Sequence, residues 1–159
     1  MSLELRVDLA TQRLAVLDGG REVRTYLVST SKYGAGERNG SFCTPRGRHI
    51  VRAKIGAGAP MGAVFRARRP TGEIYTPELA ARYPDRDWIL TRILWLSGTE
   101  VGRNRLGDVD TMRRYIYIHG APDDAPMGVP SSIGCIRMRN ADIVELFDLV
   151  PVRTPVVIS

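Results

Sequence analysis

The chain is poor in several reactive and targeting features. It holds two cysteines and two histidines in 159 residues. Two cysteines cannot build a disulfide scaffold; they leave room for one bridge or one reactive thiol. No Cys-x-x-Cys is present, which removes the common dithiol redox signature. Cys43, Cys135, His49 and His119 form no close ligand pair of the Cys-x2-4-Cys kind. A zinc site is therefore not expected, and the residues imply no metal and no cofactor. No apolar run approaches the ~18 residues that a membrane-spanning helix needs. The N-terminus, Met1-Ser2-Leu3-Glu4-Leu5-Arg6, carries no hydrophobic signal region. That leaves a cytoplasmic protein, or one whose targeting segment lies outside this sequence.

What is present is ordinary for a globular domain. Apolar residues make up 43% and charged residues 25%, proportions that exclude disorder and fibrous repeats. A chain of this length buries roughly 70% of its unfolded surface, enough for one self-sufficient core. The net charge of +6 admits acidic ligands without naming one. Arginines at 66, 68, 69, 113, 114, 137 and 139 are scattered over loops and strand ends, with no RNP-type motif, zinc finger or basic helix beside them. They read as a solvated basic surface, not as a nucleic-acid face.

The order of elements is mostly β. Leu3, Leu5, Val7 and Leu9 alternate with charged residues, the period of a half-buried strand. Thr11-Gln12 breaks it, Arg13–Leu17 is a second strand, Asp18-Gly19-Gly20 is a turn, and 22–29 resumes as a third strand. Residues 30–47 are a polar, Gly-rich loop closing on Thr44-Pro45-Arg46-Gly47, and Arg48–Ile55 is a strand. Residues 56–73 are Gly- and Pro-rich again, a short helix is expected over 78–83, and 88–96 is rich in β-formers. Tyr115–Ile118 reads as a strand ending at His119-Gly120. After a Pro-rich loop, Asn140 is the expected N-cap of a helix over 141–149, and 156–158 is a closing strand. No repeat or linker interrupts this pattern, which predicts one domain over residues 1–159, mainly β, with one or two helices.

The candidate chemistry centres on two residues. His119 closes a strand, and Cys135 follows 16 residues later in Ser131-Ser132-Ile133-Gly134-Cys135-Ile136-Arg137. A thiol attacks a carbonyl as its thiolate, which a neighbouring imidazole generates. Free Cys titrates near ~8.5 and free His near ~6.5, so pairing them can produce a thiolate–imidazolium pair at neutral pH. Gly134 leaves the backbone uncluttered for an oxyanion hole of amides. Arg137 is the best-placed partner for a substrate carboxylate. The plainer alternative, a Cys acting as a small buried hydrophobe and a His capping a backbone group, stays open at this level. Cys43 and His49 read as structural or surface residues.

Tyr117-Ile118-His119-Gly120, the loop holding Pro126-Met127-Gly128-Val129-Pro130, and Ser132-x-Gly134-Cys135-Ile136-Arg137-Met138 resemble the L,D-transpeptidase catalytic domain of the YkuD type. Val7-Asp8-Leu9 with Gln12 and Leu14, the turn Thr44-Pro45-x-Gly47, and Asn140-Ala141-Asp142 extend the resemblance over nearly the whole chain. It implies a β-sandwich-like, mixed-sheet fold and action on peptidoglycan stem peptides. Cys135 would be the nucleophile, His119 its base, and the Gly120 carbonyl the group that orients the imidazole. Ser131, Ser132, Ile133, Gly134 and Arg137 would line the substrate. D-Alanine would leave a tetrapeptide stem, and an amine or water would resolve the thioester, which gives a transpeptidase or an L,D-carboxypeptidase. A periplasmic or cell-envelope location follows from the same resemblance. One departure stands out: Ile133 occupies the place where the family usually has His. A catalytically silent cell-wall-binding domain is the alternative that this departure raises.

Overall fold

The structure, a computed structural model, describes residues 2–159. Its first three strands follow the alternation of the sequence. β1 (Leu3–Asp8) buries Leu5 and Val7, and β2 (Arg13–Asp18) buries Leu14 and Val16 against them. Gly19 and Gly20 stand at φ +59° and +83°, which makes the two-residue hairpin turn whose twist matches the strands, and β3 (Arg21–Leu27) returns antiparallel.

β10 (Pro155–Ile158) joins β1 in parallel and β4 (Gly47–Ile55) in antiparallel register, so the chain's last strand closes the middle of the sheet. β4 pairs with β7 (Ile89–Gly98), the longest strand. The sheet branches there. One edge of β7 also takes β5 (Ala63–Arg66), itself paired with β6 (Arg69–Ile74), while the other edge takes β8 (Tyr117–Ala121). β8 is parallel to β9 (Ile136–Arg139). All ten strands form one mixed sheet, so the mainly β, mixed-sheet expectation holds.

Two helices accompany the sheet among the described residues. α1 (Pro77–Arg82) starts at Thr76, whose hydroxyl accepts from the Leu79 amide at 3.0 Å, with Pro77 in the first turn. α2 (Asn140–Leu149) buries Ile143, Leu146 and Phe147 at the i, i+3, i+4 spacing against β7, β8 and β9. Its face joins Leu94, Ile118, Ile136 and Met138 in the main core.

The structure corrects several local expectations. The stretch 56–73 is not all loop: it contains β5 and most of β6, turning on Ala67-Arg68 at φ +48° and +65°, residues with no turn signature. β8 begins at Tyr117, because Tyr115 stands at φ +57°, and it runs through His119-Gly120 to Ala121. β3 stops at Leu27; Ser29 and Ser31 instead bridge to Arg137 and Ser132. Arg139, not Asn140, is the N-cap of α2. Asn140 points inward, where its Oδ1 accepts from the Thr91 hydroxyl at 2.6 Å across the bulge in β7.

Candidate active site

Parallel pairing of β8 with β9 sets His119 opposite Arg137 and brings the Ser132–Cys135 turn to the end of β8. Cys135 packs against a second apolar cluster, which holds Ala63, Phe65, Ile93 and Tyr117 apart from the main core. Side chains two apart on a strand share a face, so His119 stands on the face of Tyr117. The Cys135 thiol donates to the Tyr115 carbonyl at 3.3 Å, and its sulfur accepts from the Tyr117 amide at 3.3 Å. The left-handed Tyr115 is what turns this carbonyl and amide toward the sulfur together.

His119 is fully buried. Its Nδ1 lies 2.6 Å from the Gly120 carbonyl. A carbonyl only accepts, so Nδ1 carries the proton and Nε2 keeps a free lone pair. That Nε2 is buried and has no hydrogen-bond partner among the described residues. Gly120 is required as well as convenient. A Cβ there would run into the Leu90 carbonyl and the Asn140 side chain, and would press on Ile143 at 3.2 Å.

Burial, against the charges near the pair, decides its resting state. Burial pushes the Cys135 thiol up to about 12, outweighing the Tyr117 amide that favours thiolate. Burial also lowers the His119 imidazole, outweighing the Asp87 carboxylate and the Gly120 carbonyl, which favour imidazolium. Both shifts favour the neutral forms. The resting site is therefore a neutral thiol and a neutral imidazole, not the ion pair that pairing the two admits.

The turn before Cys135 is held by two hydroxyls. Ser132 Oγ donates to the Cys135 carbonyl at 2.6 Å and accepts from the Gly134 amide at 3.3 Å. Thr44 Oγ1 donates to the Gly134 carbonyl at 2.9 Å and accepts from the Ser31 amide at 3.0 Å. Gly134 stands at φ +133°. A side chain there would press on Ile116 at 3.3 Å and would sit 3.5 Å from the Cys43 carbonyl.

The remaining expected site residues divide. Arg137 is partly committed: its Nη2 donates to Asp87 at 2.9 Å. Ser131 Oγ shares its hydrogen bond with Ser29 Oγ at 2.6 Å, so both serine hydroxyls brace loops and leave the thiol alone. Ile133 is exposed and lines two grooves. One, of about 460 Å³, holds Cys135, Phe42, Arg68, Arg114 and Tyr115. The other, of about 350 Å³, holds Lys32, Trp88, Ser131 and Arg137. Asp87 and Ile133 are common to both. The arginines are not one solvated surface either, since Arg114 is half-buried and donates to the Gly36 and Cys43 carbonyls.

Cys43 and His49 lie apart from this chemistry. Cys43 Sγ contacts the Tyr33 and Ser41 carbonyls. His49 is buried between the Gly47 carbonyl and the Thr111 hydroxyl. Asp87, Arg68 and Tyr115 escaped the sequence reading. Asp87 sits in an ordinary Asp-Arg-Asp loop, and the other two are placed by backbone conformations that no pattern announces.

Comparison with known proteins fits this geometry. The family model of the L,D-transpeptidase catalytic domain (YkuD) matches residues 3–158. Over 47 residues the chain is 43% identical to a Bacillus subtilis (strain 168) protein named "Putative L,D-transpeptidase YkuD", covering 30% of this chain and 29% of that one. The structure of an L,D-transpeptidase from Mycobacterium smegmatis aligns over 99% of this chain and 58% of its own, with a TM-score of 0.60 and 21% identity. L,D-transpeptidase 3 from Mycobacterium tuberculosis aligns over 99% and 61%, with a TM-score of 0.61 and 16% identity. These structures share the fold. The chain spans less than two thirds of the length of each of these relatives.

Proposed function

The chain belongs to the L,D-transpeptidase catalytic domain family, and from that premise we propose that it is a cysteine acyltransferase acting on peptidoglycan tetrapeptide stems. In this reading residues 1–159 form one catalytic domain that works in the cell envelope. Cys135 is the nucleophile and His119 the base. Supporting it is one observation above the rest: a buried, unpartnered His119 Nε2 whose tautomer is set by Gly120, on the sheet face where the Cys135 thiol packs.

Because both groups rest neutral, proton transfer accompanies attack. Nε2 takes the thiol proton as Sγ bonds to the carbonyl carbon between the diamino acid's L-centre and the terminal D-alanine. The oxyanion is received by the backbone amide of Cys135, where a fixed dipole is worth more than in water. The C–N bond then breaks, and D-alanine leaves with the proton from Nε2. An acceptor amine gives a proton to Nε2, attacks the thioester, and the thiol recovers that proton. The two grooves that meet at Asp87 and Ile133 suit a donor on one side and an acceptor on the other.

Incubation with a disaccharide-tetrapeptide, with and without an amine acceptor, tests the proposal. A crosslinked or amine-capped product with free D-alanine supports it. D-Alanine and tripeptide alone, even with acceptor present, would make the protein an L,D-carboxypeptidase. Binding without any turnover would make it a silent wall-binding domain and would point to Ile133 as the cause.

A further inference from the structure

Arg68 stands at the tip of the β5–β6 hairpin and lines the Cys135 groove. The turn places both Ala67 and Arg68 at positive φ without a glycine, a strained arrangement of the kind that clusters at functional sites. Its guanidinium lies 4.5 Å from the Tyr115 ring centre and 5.0 Å from that of Trp95. Its Nη1 donates to the Tyr117 hydroxyl at 2.9 Å. Three aromatic residues therefore fix the plane of the cation.

Two of those three also hold the nucleophile. Tyr115 and Tyr117 bind Cys135 Sγ through their backbone and Arg68 through their side chains. The same two tyrosines thus hold both the sulfur and the charge.

It is also uncommitted. Arg68 takes part in none of the ion pairs among the described residues and spends one N–H donor on Tyr117. A guanidinium has five. The other charges of the groove are engaged, Asp87 by Arg137 and Arg114 by two carbonyls.

We propose that Arg68 is a specificity residue that binds the free C-terminal carboxylate of the donor peptide's leaving residue. The assignment rests on the acyl-transfer reading given above. The lengths agree. That carboxylate lies one residue, ~3.5 Å, beyond the scissile carbonyl, and a charge-assisted N–H···O bond adds about 2.8 Å. The two rings and the Tyr117 hydroxyl hold its fork in place, which suits a bidentate carboxylate. Pinning the hairpin is the structural part of the same contacts, so the test must separate anchoring from recognition.

Two donor peptides serve, identical except that one ends in a carboxylate and the other in a carboxamide. Acylation of Cys135 is followed by mass spectrometry in the wild type, Arg68→Gln and Arg68→Lys. Melting and iodoacetamide alkylation of Cys135 report the fold and the exposure of the thiol. The wild type should favour the acid on the order of 10–100-fold, the range of a hydrogen bond to a charged group. Arg68→Gln should bring that ratio near one, and Arg68→Lys should restore part of it. Equal acylation of the wild type by acid and amide overturns the role of Arg68 while leaving the acyltransferase intact. So does a preference that survives Arg68→Gln. Failure of both donors to acylate the wild type overturns the enzymatic reading, and this assignment with it.

Discussion

Thr44→Val changes shape little and removes one hydroxyl from the support of the Cys135 turn. That hydroxyl is fully buried, donating to the Gly134 carbonyl at 2.9 Å and accepting from the Ser31 amide at 3.0 Å. Valine leaves both backbone groups buried and unpaired. Each such loss costs about 1–3 kcal/mol, so the variant should lose roughly 2–6 kcal/mol. At this chain length, ~2–4 °C per kcal/mol puts the fall in melting temperature at about 4–24 °C. Thr44→Ser keeps the hydroxyl and removes a methyl group, for about 1 kcal/mol. Urea unfolding of both variants is the assay, with acylation of Cys135 measured alongside. Valine should be clearly worse than serine in stability and in acylation. Equal stabilities would refute the claim that this side chain braces the Gly134-Cys135 turn.

Three further outcomes follow from the same contacts. Gly120→Ala should cost about 3 kcal/mol or more by overpacking against the Leu90 carbonyl and Asn140, and should slow acylation by moving the carbonyl that orients His119; a variant of normal stability and rate in urea and acylation assays would contradict this. His119→Gln should lower acylation by roughly 10²–10⁴, the range for a positioned base, and a loss under tenfold in single-turnover acylation would remove His119 from that role. Burial pushes His49 down to about 4 from 6.5, so between those values the unfolded chain binds a proton that the folded one does not. Stability should therefore fall as pH drops through that window, by about 1.4 kcal/mol per unit. The buried His119 shifts in the same direction, and His49→Gln should flatten the slope of urea midpoints between pH 6.5 and 5.

How much of this was legible depends on what kind of signal each feature leaves. β1 to β3 show in the sequence because one face is buried and the other wet, and because Gly19-Gly20 announces its turn. The α2 face was equally plain, since Ile143, Leu146 and Phe147 all meet one core. The β5–β6 hairpin was hidden by a turn built on alanine and arginine at positive φ, where pattern reading expects glycine or asparagine. Asn140 misled for a related reason. Its side chain satisfies the buried Thr91 hydroxyl across a bulge, a long-range demand that outweighs the local preference for capping.

At the site, Cys135 and His119 stood out because the chain has so few alternatives. Their ionisation did not: pairing the two admits an ion pair, and burial in the fold disfavours it. The partner of Arg137 was equally invisible, because Asp87 is 50 residues away in the chain.

The most direct test of the account is to trap the acyl-enzyme. Wild-type protein, Cys135→Ala and Cys43→Ala are mixed with tetrapeptide donor, quenched within one turnover, and mapped by peptide mass spectrometry. The account predicts a tripeptide acyl group on Cys135 in the wild type and in Cys43→Ala, one D-alanine released per acyl group, and no adduct in Cys135→Ala. D-Alanine release that persists in Cys135→Ala, or an acyl group carried by Cys43, would contradict it.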